Sequence, residues 1–264
     1  GSNGVAIGYS ALASNTTADD NVAVGSCSLC ANTTGDRHVA VGALSLDANT
    51  TGVRNVAVGY AALTNNTTAN NSQAIGYNAL VTNTTGCQNT AIGSQSLQAN
   101  TIGSNNMAMG ISSLYSNTEG FNNIAIGCAA LFNNTTANNN TAIGFRAMNL
   151  NETGTCNVAV GALALCKNTA SANTAVGYAA LCCNSSGSSN VAVGDKALMV
   201  STTASNNTAV GRNSLSANTT ASSNTAVGYQ SLFNNTTGCE NTALGRDTLF
   251  SNTTGDCNVS IGYL

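Results

Sequence analysis

A glycine preceded by a short apolar triplet returns at one interval along the chain: Gly8, Gly25, Gly42, Gly59, Gly76, Gly93, Gly110, Gly127, Gly144, Gly161, Gly177, Gly194, Gly211, Gly228, Gly245 and Gly262. Fourteen of the fifteen spacings are 17 residues; the exception, Gly161 to Gly177, is 16. The lost residue falls in Asn168-Thr169-Ala170-Ser171-Ala172. A period this short and this strict marks a solenoid, in which one repeat cannot bury its apolar face alone and stacked copies bury it continuously. Composition does not change along the chain, so residues 1–264 are expected to form a single repeat-built domain with no linker. Positions below are counted from the glycine, so that Leu63 stands at +4 of the coil that begins at Gly59.

Each phase of the repeat has its own chemistry. Position −1 is aliphatic or Met throughout, from Ile7 to Ile261, and position −2 is Ala in fifteen of sixteen repeats, with Ser260 the exception. Position −3 holds Val, Thr, Ile, Met or, once, Gln73. Apolar, small, apolar with β-branched residues reads as a short strand, ended by a glycine where the backbone needs positive φ or close approach. Leu recurs at +4, with Met148 the one substitution, and is expected to plug the core; the segment around it reads as a helical turn or a bent second strand. The following N-T-T-G run is turn chemistry. The predicted fold is therefore all-β: a parallel β-solenoid (β-roll or β-helix) of about sixteen coils. At about 4.8 Å per coil it would extend roughly 75 Å. Asn at −4, in thirteen of sixteen repeats, predicts a hydrogen-bonded ladder along the stack. His38 stands at that phase and reads as a substituted ladder residue.

Composition narrows function. Charged residues are 6% of the chain, the net charge is −3 from 7 basic and 10 acidic groups, and there is one His. No basic cluster offers phosphate neutralisation, so no nucleic-acid partner is expected. No apolar run approaches 20 residues, so no membrane insertion is expected; no basic-then-apolar leader is visible within the sequence, so any export signal is expected to have been removed or to lie outside it. Catalytic residues, cofactors and resident metals are all expected to be absent, and the chain reads as a non-enzyme. Cys27-x-x-Cys30 lacks the further ligands that tetrahedral zinc requires.

The strand segment N-x-A-[VI]-G, as in Asn89-Thr90-Ala91-Ile92-Gly93 and Asn224-Thr225-Ala226-Val227-Gly228, resembles the head repeat of trimeric autotransporter adhesins. The longer unit, as in GYQSLFNNTTGCENTAL from Gly228, looks like repeats of viral and phage fibre-like surface proteins. The resemblance implies a left-handed parallel β-roll, a three-chain assembly and attachment at a cell or virion surface.

Ten cysteines lie outside the repeat consensus. Cys166 and Cys182 stand at +5 in successive coils, and Cys239 and Cys257 face each other across adjacent coils with a one-residue offset. Both pairs are disulfide candidates at the separation a disulfide needs, which would place the chain in an oxidising, extracellular setting. N-x-[ST] sequons recur at one phase: Asn15, Asn32, Asn49, Asn66, Asn83, Asn134, Asn151, Asn184, Asn218, Asn235 and Asn252. They are candidate glycosylation sites along one edge, or turn residues only.

The reading that follows is a structural segment of an extracellular fibre, filament or adhesin. Its expected partner is itself, as a filament or homo-oligomer, with a surface receptor or glycan beyond that. Assembly is expected through uncapped coil ends or through the Ala-rich face. The alternative is an ice-binding or other surface-binding module using ranks of Thr pairs such as Thr50-Thr51 and Thr67-Thr68.

Overall fold

A computed structural model describes residues 3–263, in two compact units, Gly1–Thr136 and Ala137–Leu264. The expected uncapped ends fall on Gly1 and Leu264, outside the described residues. The first unit carries β1 (Val5–Ile7), β2 (Val22–Val24), β3 (Val39–Val41), β4 (Val56–Val58), β5 (Gln73–Ile75), β6 (Thr90–Ile92), β7 (Met107–Met109) and β8 (Ile124–Ile126). The second carries β9 (Thr141–Ile143), β10 (Val158–Val160), β11 (Thr174–Val176), β12 (Val191–Val193), β13 (Thr208–Val210), β14 (Thr225–Val227), β15 (Thr242–Leu244) and β16 (Val259–Ile261). Every strand is a triplet with a small residue at its centre and an apolar one at −1, as the repeat predicts. Within each unit successive strands pair parallel and in register, Ala on Ala: Ala40↔Ala57↔Ala74 in the first, Ala175↔Ala192↔Ala209 in the second. The short coil keeps this register, with Ala159↔Ala175 across β10 and β11.

The glycine after each strand has φ between +126° and +142°, which only glycine adopts without strain. A Cβ on Gly59 would also lie 2.5 Å from the carbonyl oxygen of Gly76, the same glycine one coil on. Two residues later the backbone enters the left-handed region, and again two residues after that: Ala61 has φ 55° and Leu63 52°. The Ala61 N–H donates to Ala43 O of the preceding coil at 3.0 Å, whereas the Leu63 N–H donates to Ala79 O of the following coil at 3.0 Å. The Ala-Leu segment is thus neither a helical turn nor a second strand. It is a rung bent by left-handed residues, whose N–H groups bond alternately down and up the stack. A left-handed non-glycine residue costs about 1–2 kcal/mol. The bonds between coils and the burial of Leu offset that cost.

The interior is narrow. Leu29, Leu46, Leu63, Leu80, Leu97, Leu114 and Leu131 at +4 are fully buried, as are Ala57 and Ala74 at −2 and Ala62 and Ala79 at +3. Beside them lie two buried columns of asparagine, at +7 and at −4. No described Val, Ile, Phe or Tyr is buried. Aliphatic β-branched residues and Phe rank among the residues most often buried in globular proteins. Here the 17-residue coil encloses Ala, Leu or Met148, small hydroxyls, amide groups and the one imidazole of His38, and the aliphatic β-branched and aromatic side chains stand outside. Some of them pair along the stack: the rings of Tyr60 and Tyr77 stack with centroids 5.7 Å apart, and those of Tyr115 and Phe132 at 4.9 Å.

Candidate functional surfaces

The asparagines of the sequons are core residues. Asn49 Nδ2 donates to Asn32 Oδ1 at 2.8 Å, Asn66 Nδ2 to Asn49 Oδ1 at 2.8 Å, and Asn83 Nδ2 to Asn66 Oδ1 at 3.1 Å. Each also donates to the backbone of its own turn, as Asn83 Nδ2 does to Gly86 O at 3.0 Å. Asn32, Asn49, Asn66, Asn83, Asn134, Asn151, Asn184, Asn218 and Asn235 are fully buried; Asn15 and Asn252 are half-buried and make the same turn bond, to Ala18 O and Gly255 O. This corrects the expectation of a row of glycans. The nitrogen that would carry a sugar points into the coil and is used in hydrogen bonds. An unpaired amide there would be costly, so the recurring Asn-Thr reflects the coil's own turn.

The ladder expected at −4 is present and runs from side chain to backbone. The Asn106 N–H donates to Asn89 Oδ1 at 3.0 Å, while Asn89 Nδ2 donates to Gly103 O at 2.7 Å. His38 takes the same place. Its N–H donates to Asn21 Oδ1 at 2.9 Å, its Nδ1 accepts the Asn55 N–H at 3.1 Å, and its Nε2 lies 2.7 Å from Gly52 O. Because the Asn55 amide can only donate and the Gly52 carbonyl can only accept, the ring is the neutral tautomer with the proton on Nε2. Nδ1 stands in for the amide oxygen and Nε2–H for the amide nitrogen. Burial pushes the His38 pKa below its ordinary value, against the opposing pull of the Gly52 and Asn55 backbone contacts and of Asp36.

Outside, the strands present a face opposite to the one expected. Ala at −2 is fully buried in β2 through β15, so an Ala-rich docking face does not exist. The side chains at −3 and −1 point outward instead: Val39, Val41, Ile75, Met107, Met109 and Ile124 are 36–40% exposed. Period-2 alternation puts −3 and −1 on one side and −2 on the other, and the narrow interior accepts only the Ala side.

The Thr pairs do not form a double rank. Thr50 Oγ1 donates to Thr67 O at 3.1 Å and Thr67 Oγ1 to Thr84 O at 3.2 Å, so the first hydroxyl of each pair is used between coils. The second, as at Thr51, Thr68 and Thr85, stands exposed.

All ten cysteines are free thiols, which corrects both expected disulfides. For Cys239 and Cys257 the reason is register. Their separation is 18 residues, and the residue a period on from Cys239 is Asp256, whose Oδ1 accepts the Cys239 N–H at 2.7 Å. Cys257 aligns with Glu240 and donates its thiol to Oε2 at 3.5 Å, which pushes its pKa up. Cys166 and Cys182 do align, at +5 of successive coils. The neighbouring Cys182 thiol lowers the Cys166 pKa to about 7, with Arg146 and Lys167 adding to the effect against burial, whereas the Cys166 thiol and burial push Cys182 up. No group of three His, Cys, Asp or Glu side chains is placed to hold a metal ion among the described residues, Cys27 and Cys30 included.

Comparison with the models of known protein families and with curated proteins finds no match for this chain.

Proposed function

We propose that this chain is a structural, non-enzymatic segment of an extracellular fibre or adhesin, working as a stiff repeated body that associates with copies of itself. The observation that carries the reading is the uniform interior. The same Ala, Leu and paired Asn recur in coil after coil, and the backbone bonds run between coils, so the residues serve stacking rather than a single locus of chemistry. Placement at a cell or virion surface, with a receptor or glycan as a further partner, draws its support from the likeness of N-x-A-[VI]-G to adhesin heads. An ice-binding surface built on ranks of Thr has less support, because the first hydroxyl of each pair is committed to the next coil.

Negative-stain electron microscopy of the natively processed protein tests the reading. Fibres or bundles built from the repeat are expected. Particles that remain single at high concentration, with no association by sedimentation, would overturn it.

A further inference from the structure

The Val, Ile and Met side chains at −3 and −1 of the first unit's strands stand outside it, on one face. Positions −3 and −1 of β1 to β8 hold twelve Val or Ile side chains, Met107 and Met109, and two uncharged polar ones, Gln73 and Thr90. Position +1, immediately past the bounding glycine, adds Tyr60, Tyr77 and Ile111, each half or more exposed, and no charge in this unit. The second unit differs at the same phases. Thr fills −3 in five of its eight strands, and +1 carries Asp195, Arg212 and Arg246.

We propose that the outward strand face of the first unit is a homotypic docking face, covered by the same face of a second copy of this chain. It deepens the assembly reading above, on which it rests, by naming the surface and the partner. Size is the first argument. Eight strands at about 4.8 Å by five residues at about 3.3 Å give a footprint of roughly 600 Å² before the relief of the side chains is counted. A stable interface takes about 800 Å² from each partner, and apolar patches beyond a few hundred Å² mark interaction sites. Shape is the second. In-register strands turn identical side chains into ridges one strand spacing apart, and a second copy carries ridges of the same spacing, so the two faces interdigitate. A two-fold axis makes such a contact self-complementary and closed, with the sheets about 10 Å apart. Charge is the third. The face offers a heterologous partner no charge to recognise and offers its own copy none to repel. The contact also supplies what the coil cannot: a dry layer of Val, Ile and Met.

Sedimentation velocity under reducing conditions, with circular dichroism as the check on folding, decides this. Wild-type protein is expected to associate reversibly through the micromolar range. The double variant Val39→Lys/Val56→Lys is expected to keep the wild-type spectrum and to self-associate at least tenfold more weakly. The control Thr51→Lys/Thr68→Lys, which places the same charges on the turn edge, is expected to associate as wild type does. Should the strand-face lysines unfold the protein, Val39→Gln/Val56→Gln replaces them, since Gln73 already occupies this phase. A monomeric wild type overturns the proposal, as do variants that associate with wild-type affinity. Binding to phosphatidylcholine vesicles in place of self-association overturns it too. Fibres that persist by microscopy in the strand-face variant would reject this face while leaving the fibre reading standing, whereas dimers without fibres would do the reverse.

Discussion

His38 shows how little the interior column asks of a side chain beyond one acceptor and one donor in the right places. The imidazole meets the Asn55 N–H and the Gly52 carbonyl as an asparagine would, but it brings a titration that asparagine lacks. Its folded-state pKa is lowered, chiefly by burial, so the folded coil favours the neutral ring. The unfolded chain then binds more protons as pH falls, and stability is lost in that direction. The contribution of the neutral ring is fully present above the ordinary histidine value of about 6.5 and declines as pH drops through it toward the folded-state value. Urea midpoints at pH 7.5 and pH 5 should therefore differ more for the wild type than for His38→Asn. Equal pH dependence in the two proteins would contradict the buried neutral ring. The role of His38 as a ladder residue was legible in the sequence from its phase alone. The role of Asn49 or Asn66 was not: a sequon and a core amide are the same letters, and only closure of the coil over the turn separates them.

At the scale of a single coil, phase told more than residue type. The strands, their register, the bounding glycine and the buried Leu all follow from the period. Which side of the strand faces inward does not follow, because alternation separates Val39 and Val41 from Ala40 without saying which is enclosed. Hydrophobicity points to the Val side, and the width of the coil decides for Ala. The left-handed pair at +2 and +4 was equally hidden, since Leu63 is not a residue that advertises positive φ. Two glycines of one coil make the role of backbone geometry testable. Gly59→Ala sets a Cβ against the Gly76 carbonyl at φ +132°, where the neighbouring backbone cannot yield without leaving register. Gly52→Ala presses on the Ala69 carbonyl and the Asn49 side chain, but Ala69 itself fills the same phase one coil later, fully enclosed. The first substitution should destabilise by more than about 4 kcal/mol and the second by less than about 2 kcal/mol. Chemical denaturation of both variants checks the ordering, and comparable losses would mean that the bounding glycine is not special.

For a whole stack, stability is a sum of coil terms and contacts between nearest neighbours, so what matters about a change in length is whether it preserves phase. The chain contains one natural case. The coil between Gly161 and Gly177 is a residue short, and the deficit is absorbed in the turn, where Ala170 O accepts both Asn157 Nδ2 at 2.8 Å and Asn168 Nδ2 at 2.7 Å. Strand register survives on the far side, with Val158 opposite Thr174. Slack of one residue before the strand is thus tolerable because no Leu, Ala or bounding glycine changes phase. Removing residues 60–76 takes out one complete period and joins Gly59 to Tyr77, which restores the same glycine, Leu80 at +4 and Asn83 at +7. Removing residues 60–68 instead joins Gly59 to Ala69, puts Ser72 where Leu belongs and brings the next bounding glycine eight residues on. The full-period deletion should retain the strand signal in circular dichroism and lower the melting temperature by less than about 5 °C. The shorter deletion, although it removes fewer residues, should abolish cooperative melting of the first unit, because a coil of that length cannot close around a Leu and two amides. If the two deletions behaved alike, the stack would owe its stability to something other than phase.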